Sequence, residues 1–140
     1  MSNHQIIELA RYRIQQAKES ISWSTILFSE DAWRGTINRA YYAMYYAVLA
    51  LTVVDGYSTS KHAGVIAFFD RAYIKTGIFT KELSKGLHLA FERRQAQDYG
   101  EFTEAEPTTA HETLSDARQF VEQINNYLET SIFPGLQGDA

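Results

Sequence analysis

Residues 30–56, EDAWRGTINRAYYAMYYAVLALTVVDG, decide the fold. Trp33, Ile37, Ala40, Met44, Ala47 and Leu51 recur at spacings of three and four, which places them on one face of an α-helix. A second face, Asn38, Tyr42, Tyr45 and Leu49, is also largely apolar, so this helix is expected at the centre of a bundle, packed on more than one side. Glu30 or Asp31 suits its N-terminus, and Asp55-Gly56 its end.

The same period continues on either side. Ile7, Ala10, Ile14, Ala17, Ile21, Ser24 and Phe28 form the seam of a long first helix over about residues 3–28. After it and the central helix, Ser58, Thr59 and Ser60 offer N-caps for a short third helix. That helix buries Val65, Ile66, Phe68, Phe69, Ala72 and Tyr73 and stops at Thr76-Gly77. Thr80 can cap a fourth helix, which ends near Tyr99-Gly100, and an acidic loop over 101–106 leads to Pro107 in the first turn of a fifth. Leu114, Ala117, Val121, Ile124 and Leu128 give the fifth helix its buried stripe, and it is expected to give way around Phe133-Pro134-Gly135. Nothing alternates like a strand. The expected fold is all-α, an antiparallel up-and-down bundle of about five helices in one domain over 1–136, with a disordered tail at 137–140.

Composition narrows the function. The chain of 140 residues is 45% hydrophobic, enough for one core, and has no cysteine for disulfides or thiolate metal sites. The longest uncharged stretch, residues 40–54, is shorter than the roughly 20 residues a membrane span requires. With no secretory leader in view, a soluble cytoplasmic protein is expected. Residues 1–97 hold 12 Lys or Arg against 8 acids, whereas 98–140 hold 1 against 9. A generic DNA-binding basic patch is therefore not expected, though a basic face over an acidic body remains open. With 9 Tyr, 8 Phe and 2 Trp, some rings should reach the surface and favour a homodimer.

The common chemical constellations are missing from the sequence. None of His4, His62, His88 and His111 has a Glu three residues before it, and no two histidines are separated by three residues, so neither a di-iron bundle motif nor a zinc helix is present. The glycines are scattered and form no phosphate loop. No metal and no cofactor are expected.

One charge stands out. Leu83, Leu87, Ala90 and Arg94 share a helical seam, so a guanidinium follows the leucines onto an apolar face. Without a partner in a core it would cost on the order of 3 to 5 kcal/mol. Arg94 is therefore expected at a bundle end, in a cleft or at a subunit interface.

Three segments, Asn38-Arg39-Ala40-Tyr41-Tyr42-Ala43-Met44-Tyr45-Tyr46, Ser60-Lys61-His62-Ala63-Gly64-Val65-Ile66 and Phe91-Glu92-Arg93-Arg94-Gln95-Ala96-Gln97-Asp98-Tyr99, together resemble the HEPN superfamily (higher eukaryotes and prokaryotes nucleotide-binding domains). The resemblance covers about residues 5–130 and is greatest to the bacterial and archaeal branch with an Asn-Arg-Ala-Tyr-Tyr-Ala helix. It implies a four- or five-helix bundle, commonly homodimeric and often encoded beside a minimal nucleotidyltransferase. Members of this superfamily include ribonucleases, toxins and nucleotide-binding partners. Catalytic members resemble one another in an Arg, a polar residue and then a His after four to six intervening residues. Arg94-Gln95 matches the first half of that motif, but Tyr99 stands where the His belongs. An unperturbed Tyr, with a pKa of about 10, is a poor base where a His titrates near neutrality.

Three readings of Arg94 follow. In the first, it grips a phosphate or carboxylate while Asp98 and Tyr99 shape the pocket, as a binding module associated with nucleotide or RNA and a nucleotidyltransferase partner in a toxin–antitoxin-like pair. In the second, the protein is a divergent metal-independent ribonuclease in which His62 moves the proton and Arg94 balances transition-state charge. In the third, Arg94 pairs with Asp98 at i, i+4 and fastens a helix end in a non-enzymatic interaction scaffold. Arg39 with Lys61, Arg93 and Arg34 is expected either to form a basic face or, for Arg39, to snorkel towards an acid such as Glu92. Tyr99 is also a candidate acceptor of a nucleotidyl group from a partner enzyme.

Overall fold

The central position expected of the tyrosine-rich helix is what the computed structural model shows. That structure describes residues 1–99 and 104–137, with Tyr99 described by its backbone alone. Helix α1 spans Asn3–Ser29, α2 Trp33–Asp55, α3 His62–Phe69, α4 Lys81–Tyr99 and α5 Pro107–Tyr127. Two π-helical turns, Asp70–Ile74 and Leu128–Ile132, extend α3 and α5, and a short α6, Phe133–Gln137, closes the chain's described part. No strand occurs among the described residues. Helix α2 packs against α1, α3, α4 and α5, and its Ile37, Ala40, Tyr41, Ala43, Met44, Ala47, Val48, Ala50 and Leu51 are all fully buried.

Small residues explain how closely α1 and α2 lie. Ala10, Ala17, Ser20 and Ser24 of α1 are buried together with Ala40, Ala43 and Ala47 of α2, so little side-chain bulk separates the backbones. The buried Ser24 hydroxyl donates to the Thr36 carbonyl at 2.7 Å, which satisfies it inside that contact. The expected stripe of α1 holds at Ile7, Ala10, Ile14, Ala17 and Ser24, while Ile21 and Phe28 are only half-buried and Ser20 takes an inner place.

Boundaries shift where turns do work that periodicity does not report. Helix α1 runs on to Ser29 with Glu30 as its C-cap, and Asp31 adopts a left-handed φ of 57°, a conformation Asp tolerates, so α2 begins only at Trp33. The residue that caps α3 is Lys61, not Ser58, Thr59 or Ser60. The Thr59 hydroxyl instead accepts the Lys61 backbone N–H, one residue too early to cap the helix. Pro107 opens α5 as expected. The expected end at Phe133-Pro134-Gly135 is corrected: the helix widens into a π turn and resumes as α6, where Pro134 is tolerated in the first turn and Phe133 is buried beneath the Arg11 guanidinium. Of the tail expected at 137–140, Gln137 instead ends α6, while residues 138–140 and Gly100, expected to stop α4, lie outside the described residues.

Candidate functional site

Tyr41 anchors the site from within the core. It is fully buried on α2, and its hydroxyl lies 2.8 Å from Nδ1 of His62, the first residue of α3. The His62 ring also stacks on Tyr45, one turn further along α2, with centroids 4.2 Å apart and planes 14° from parallel. Two tyrosines spaced i, i+4 thus form a seat for one imidazole.

Arg94 reaches the same tyrosines from α4. Leu83, Leu87 and Ala90 are buried as the seam requires, and Arg94 continues it to the rim with its side chain 16% exposed. Its guanidinium carbon lies 5.6 Å from the centroid of Tyr41 and 5.2 Å from that of Tyr42, a cation over two electron-rich faces. Nε is 2.8 Å from Oδ2 of Asp98, but its N–H is not directed along that line, so the ion pair lacks an aligned hydrogen bond. Three residues on, the Gln97 side-chain oxygen is buried with no hydrogen-bond partner among the described residues.

Arg39 also approaches Tyr42. Its guanidinium carbon is 4.8 Å from the Tyr42 centroid and 5.8 Å from that of Trp23, while Nε donates to the Asn38 side chain at 3.1 Å. The result is an alternating row: Arg94, Tyr42, Arg39 and the half-exposed Trp23. The expected reach of Arg39 towards Glu92 does not occur, because the rings of Tyr42 and Trp23 hold the guanidinium instead. Arg93 leaves the expected basic face altogether: it donates to Thr113 and Glu112 of α5, each at 3.0 Å, because successive helical residues point in different directions. Lys61 is exposed beside His62. The side chain of Tyr99 lies outside the described residues.

The environment sets the protonation states. Burial, reinforced by the Arg94 charge, lowers the His62 pKa below its ordinary value, so the imidazole is neutral at neutral pH. Burial pushes the Tyr41 phenol well above its ordinary range, with Arg94 opposing weakly, so the hydroxyl keeps its proton. A protonated phenol can donate to Nδ1 or accept from an Nδ1–H, and either leaves Nε2, unpartnered among the described residues, to handle a proton. No group of three or more potential metal ligands occurs among the described residues.

Sequence reasoning found Arg94, Asp98, Arg39 and His62 but did not single out Tyr41, Tyr42 and Tyr45 as the residues that connect them. The i, i+1, i+4 spacing of those tyrosines was the available signal.

An all-α bundle with an arginine and a histidine converging on a tyrosine-rich central helix defines a class, and comparison with known proteins specifies it. The sequence matches the HEPN domain over residues 10–127, and the chain belongs to that family. A UPF0332 protein of Thermotoga maritima is 35% identical over 122 residues, covering 87% of this chain and 92% of its own. Two Methanocaldococcus jannaschii proteins named as candidate toxins, MJ0142 and MJ0605, are each 30% identical, over 82% and 91% of this chain and 78% and 94% of theirs. No helix among the described residues is long and apolar enough to cross a membrane.

Proposed function

We propose that this protein binds a phosphate of a nucleotide or RNA at Arg94 and acts as the RNA-associated member of a toxin–antitoxin-like pair whose other member is a minimal nucleotidyltransferase. The observation that carries this reading is the Arg94 guanidinium held over Tyr41 and Tyr42 at the bundle rim, with a single misaligned carboxylate as its counter-charge. An arginine so placed has N–H donors to offer a phosphate in bidentate fashion. Arg39, sharing Tyr42 with it, adds a second cation, and Trp23, 49% exposed, adds a surface on which a base can stack. The M. jannaschii relatives' names support the toxin-like context. Ile26, 59% exposed on α1, supports self-association as a homodimer. The test is titration of the purified chain with a short single-stranded RNA and with pyrophosphate. Arg94→Ala is expected to abolish both interactions, and retention of both in that variant rejects the reading.

A second reading, ribonuclease activity, is favoured by one specific observation: the neutral His62 sits against Tyr41, the same ring that Arg94 covers. Read this way, α3 would supply the histidine that the α4 motif lacks. In this reading His62 Nε2 takes the ribose 2′-hydroxyl proton and the 2′-oxygen bonds to phosphorus. The P–O5′ bond then breaks with a solvent proton passing to the leaving oxygen, and Arg94 balances charge on the non-bridging oxygens. RNA cleavage lost in both His62→Ala and Arg94→Ala would establish it, and absence of cleavage by the wild-type chain would leave the binding role alone.

A further inference from the structure

A cavity of about 320 Å³ opens beyond Tyr45, between α1, the second half of α2 and the segment leading into α3. It is lined by Arg13, Tyr45, Thr52, Tyr57, Ser58 and Thr59, of which Thr52 spends its hydroxyl proton on the Leu49 carbonyl at 2.6 Å. The volume is at the lower end of small-ligand sites, which run from roughly 300 to 1,000 Å³. No carboxylate lines it. Arg13 donates to Gln16 at 2.9 Å and lies 5.9 Å from the Tyr12 ring centroid, but it forms no ion pair among the described residues, so no carboxylate competes there with an incoming anion.

One ring ties this cavity to the Arg94 cluster. Tyr45 is both the stacking partner of His62 and a wall of the cavity, so the two sites share one ring.

Resting on the phosphate-binding reading above, we propose that this cavity is a nucleoside subsite. It takes the base and ribose of the nucleotide adjoining the phosphate at Arg94 in a single-stranded RNA. Aromatic walls accept any base by stacking. Ser58 and Thr59 offer hydroxyls to a sugar that carries its own 2′-hydroxyl, and Arg13 meets the next phosphate along the strand.

The test uses the full chain with Val53→Trp, which fills the cavity from its lining, and Arg13→Ala, which removes the cation from a half-exposed position and does not depend on repacking. Both variants are expected to bind a labelled single-stranded pentaribonucleotide at least about fivefold more weakly, the low end of one stacked base. Pyrophosphate, which carries no nucleoside, is expected to bind Val53→Trp as it binds wild type. Wild-type affinity for the pentaribonucleotide in both variants overturns the subsite. The four ribonucleosides, which carry no phosphate, separate this inference from the one it rests on. At millimolar concentration they are expected to shift the Tyr45 and Tyr57 ring signals in the Arg94→Ala variant as in wild type. Nucleoside shifts without pyrophosphate binding sustain the cavity and reject the phosphate reading, whereas pyrophosphate binding with no nucleoside shift rejects the cavity.

Discussion

The Tyr41 hydroxyl and the His62 Nδ1 stand 2.8 Å apart, joining α2 to the start of α3 across 21 residues of sequence. This contact fixes the imidazole beside the guanidinium of Arg94, which covers the other partner of the bond, the Tyr41 ring. One buried phenol therefore positions both groups on which the proposed chemistry depends.

Removing that hydroxyl should be felt at the site more than in the fold. Tyr41→Phe keeps the buried ring and loses one hydrogen bond, with an expected cost of about 1 kcal/mol and a fall of a few degrees in Tm. RNA binding or cleavage should fall further than stability does, because His62 loses the hydrogen-bond partner that holds its ring in place. Thermal melting and RNA titration of the same preparation check this; unchanged His62 NMR shifts in the variant would contradict it.

His62 should titrate below 6.5, its ordinary value, because burial and then Arg94 disfavour the imidazolium. The unfolded chain consequently holds more protons than the folded one between the lowered value and 6.5. Stability therefore rises with pH through that window and is complete above it. An NMR titration of wild type and Arg94→Ala measures the effect: the midpoint should move up in the variant without reaching 6.5, since burial is the larger cause. A wild-type midpoint at or above 6.5 rejects this account.

Asp98 competes for Arg94 with any anion that enters. Both side chains are partly solvated, at 16% and 27% exposed, so Asp98→Asn should cost no more than about 1 kcal/mol in stability. Pyrophosphate affinity should increase several-fold. Calorimetric titration decides; weaker binding in Asp98→Asn would mean that the carboxylate orients the arginine and does not oppose the ligand.

The core should show the ordinary cost of a large cavity. Phe120 on α5 is fully buried and packs on Phe69 with centroids 5.2 Å apart, so Phe120→Ala is expected to lose about 3 to 5 kcal/mol in chemical denaturation. A loss below about 1 kcal/mol would show that α5 does not hold the bundle at that position.

The sequence by itself determined the five main helices, the buried stripe of α5 from Leu114 to Leu128 and the central place of α2. Helical periodicity is local: each apolar residue declares its face through neighbours three and four positions away. It also marked Arg94 as a charge on an apolar seam. Only the tertiary structure decided which groups meet that charge. His62, Arg39 and Arg93 carry similar prospects in the sequence. Yet α3 delivers His62 to Tyr41, Tyr42 holds Arg39, and the turn of α4 sends Arg93 to Glu112 on α5. Those outcomes depend on helix rotation and separation, which arise from packing among distant residues. The π turns were equally hidden, because a wider turn retains a helical apolar pattern while altering which residues follow it inward.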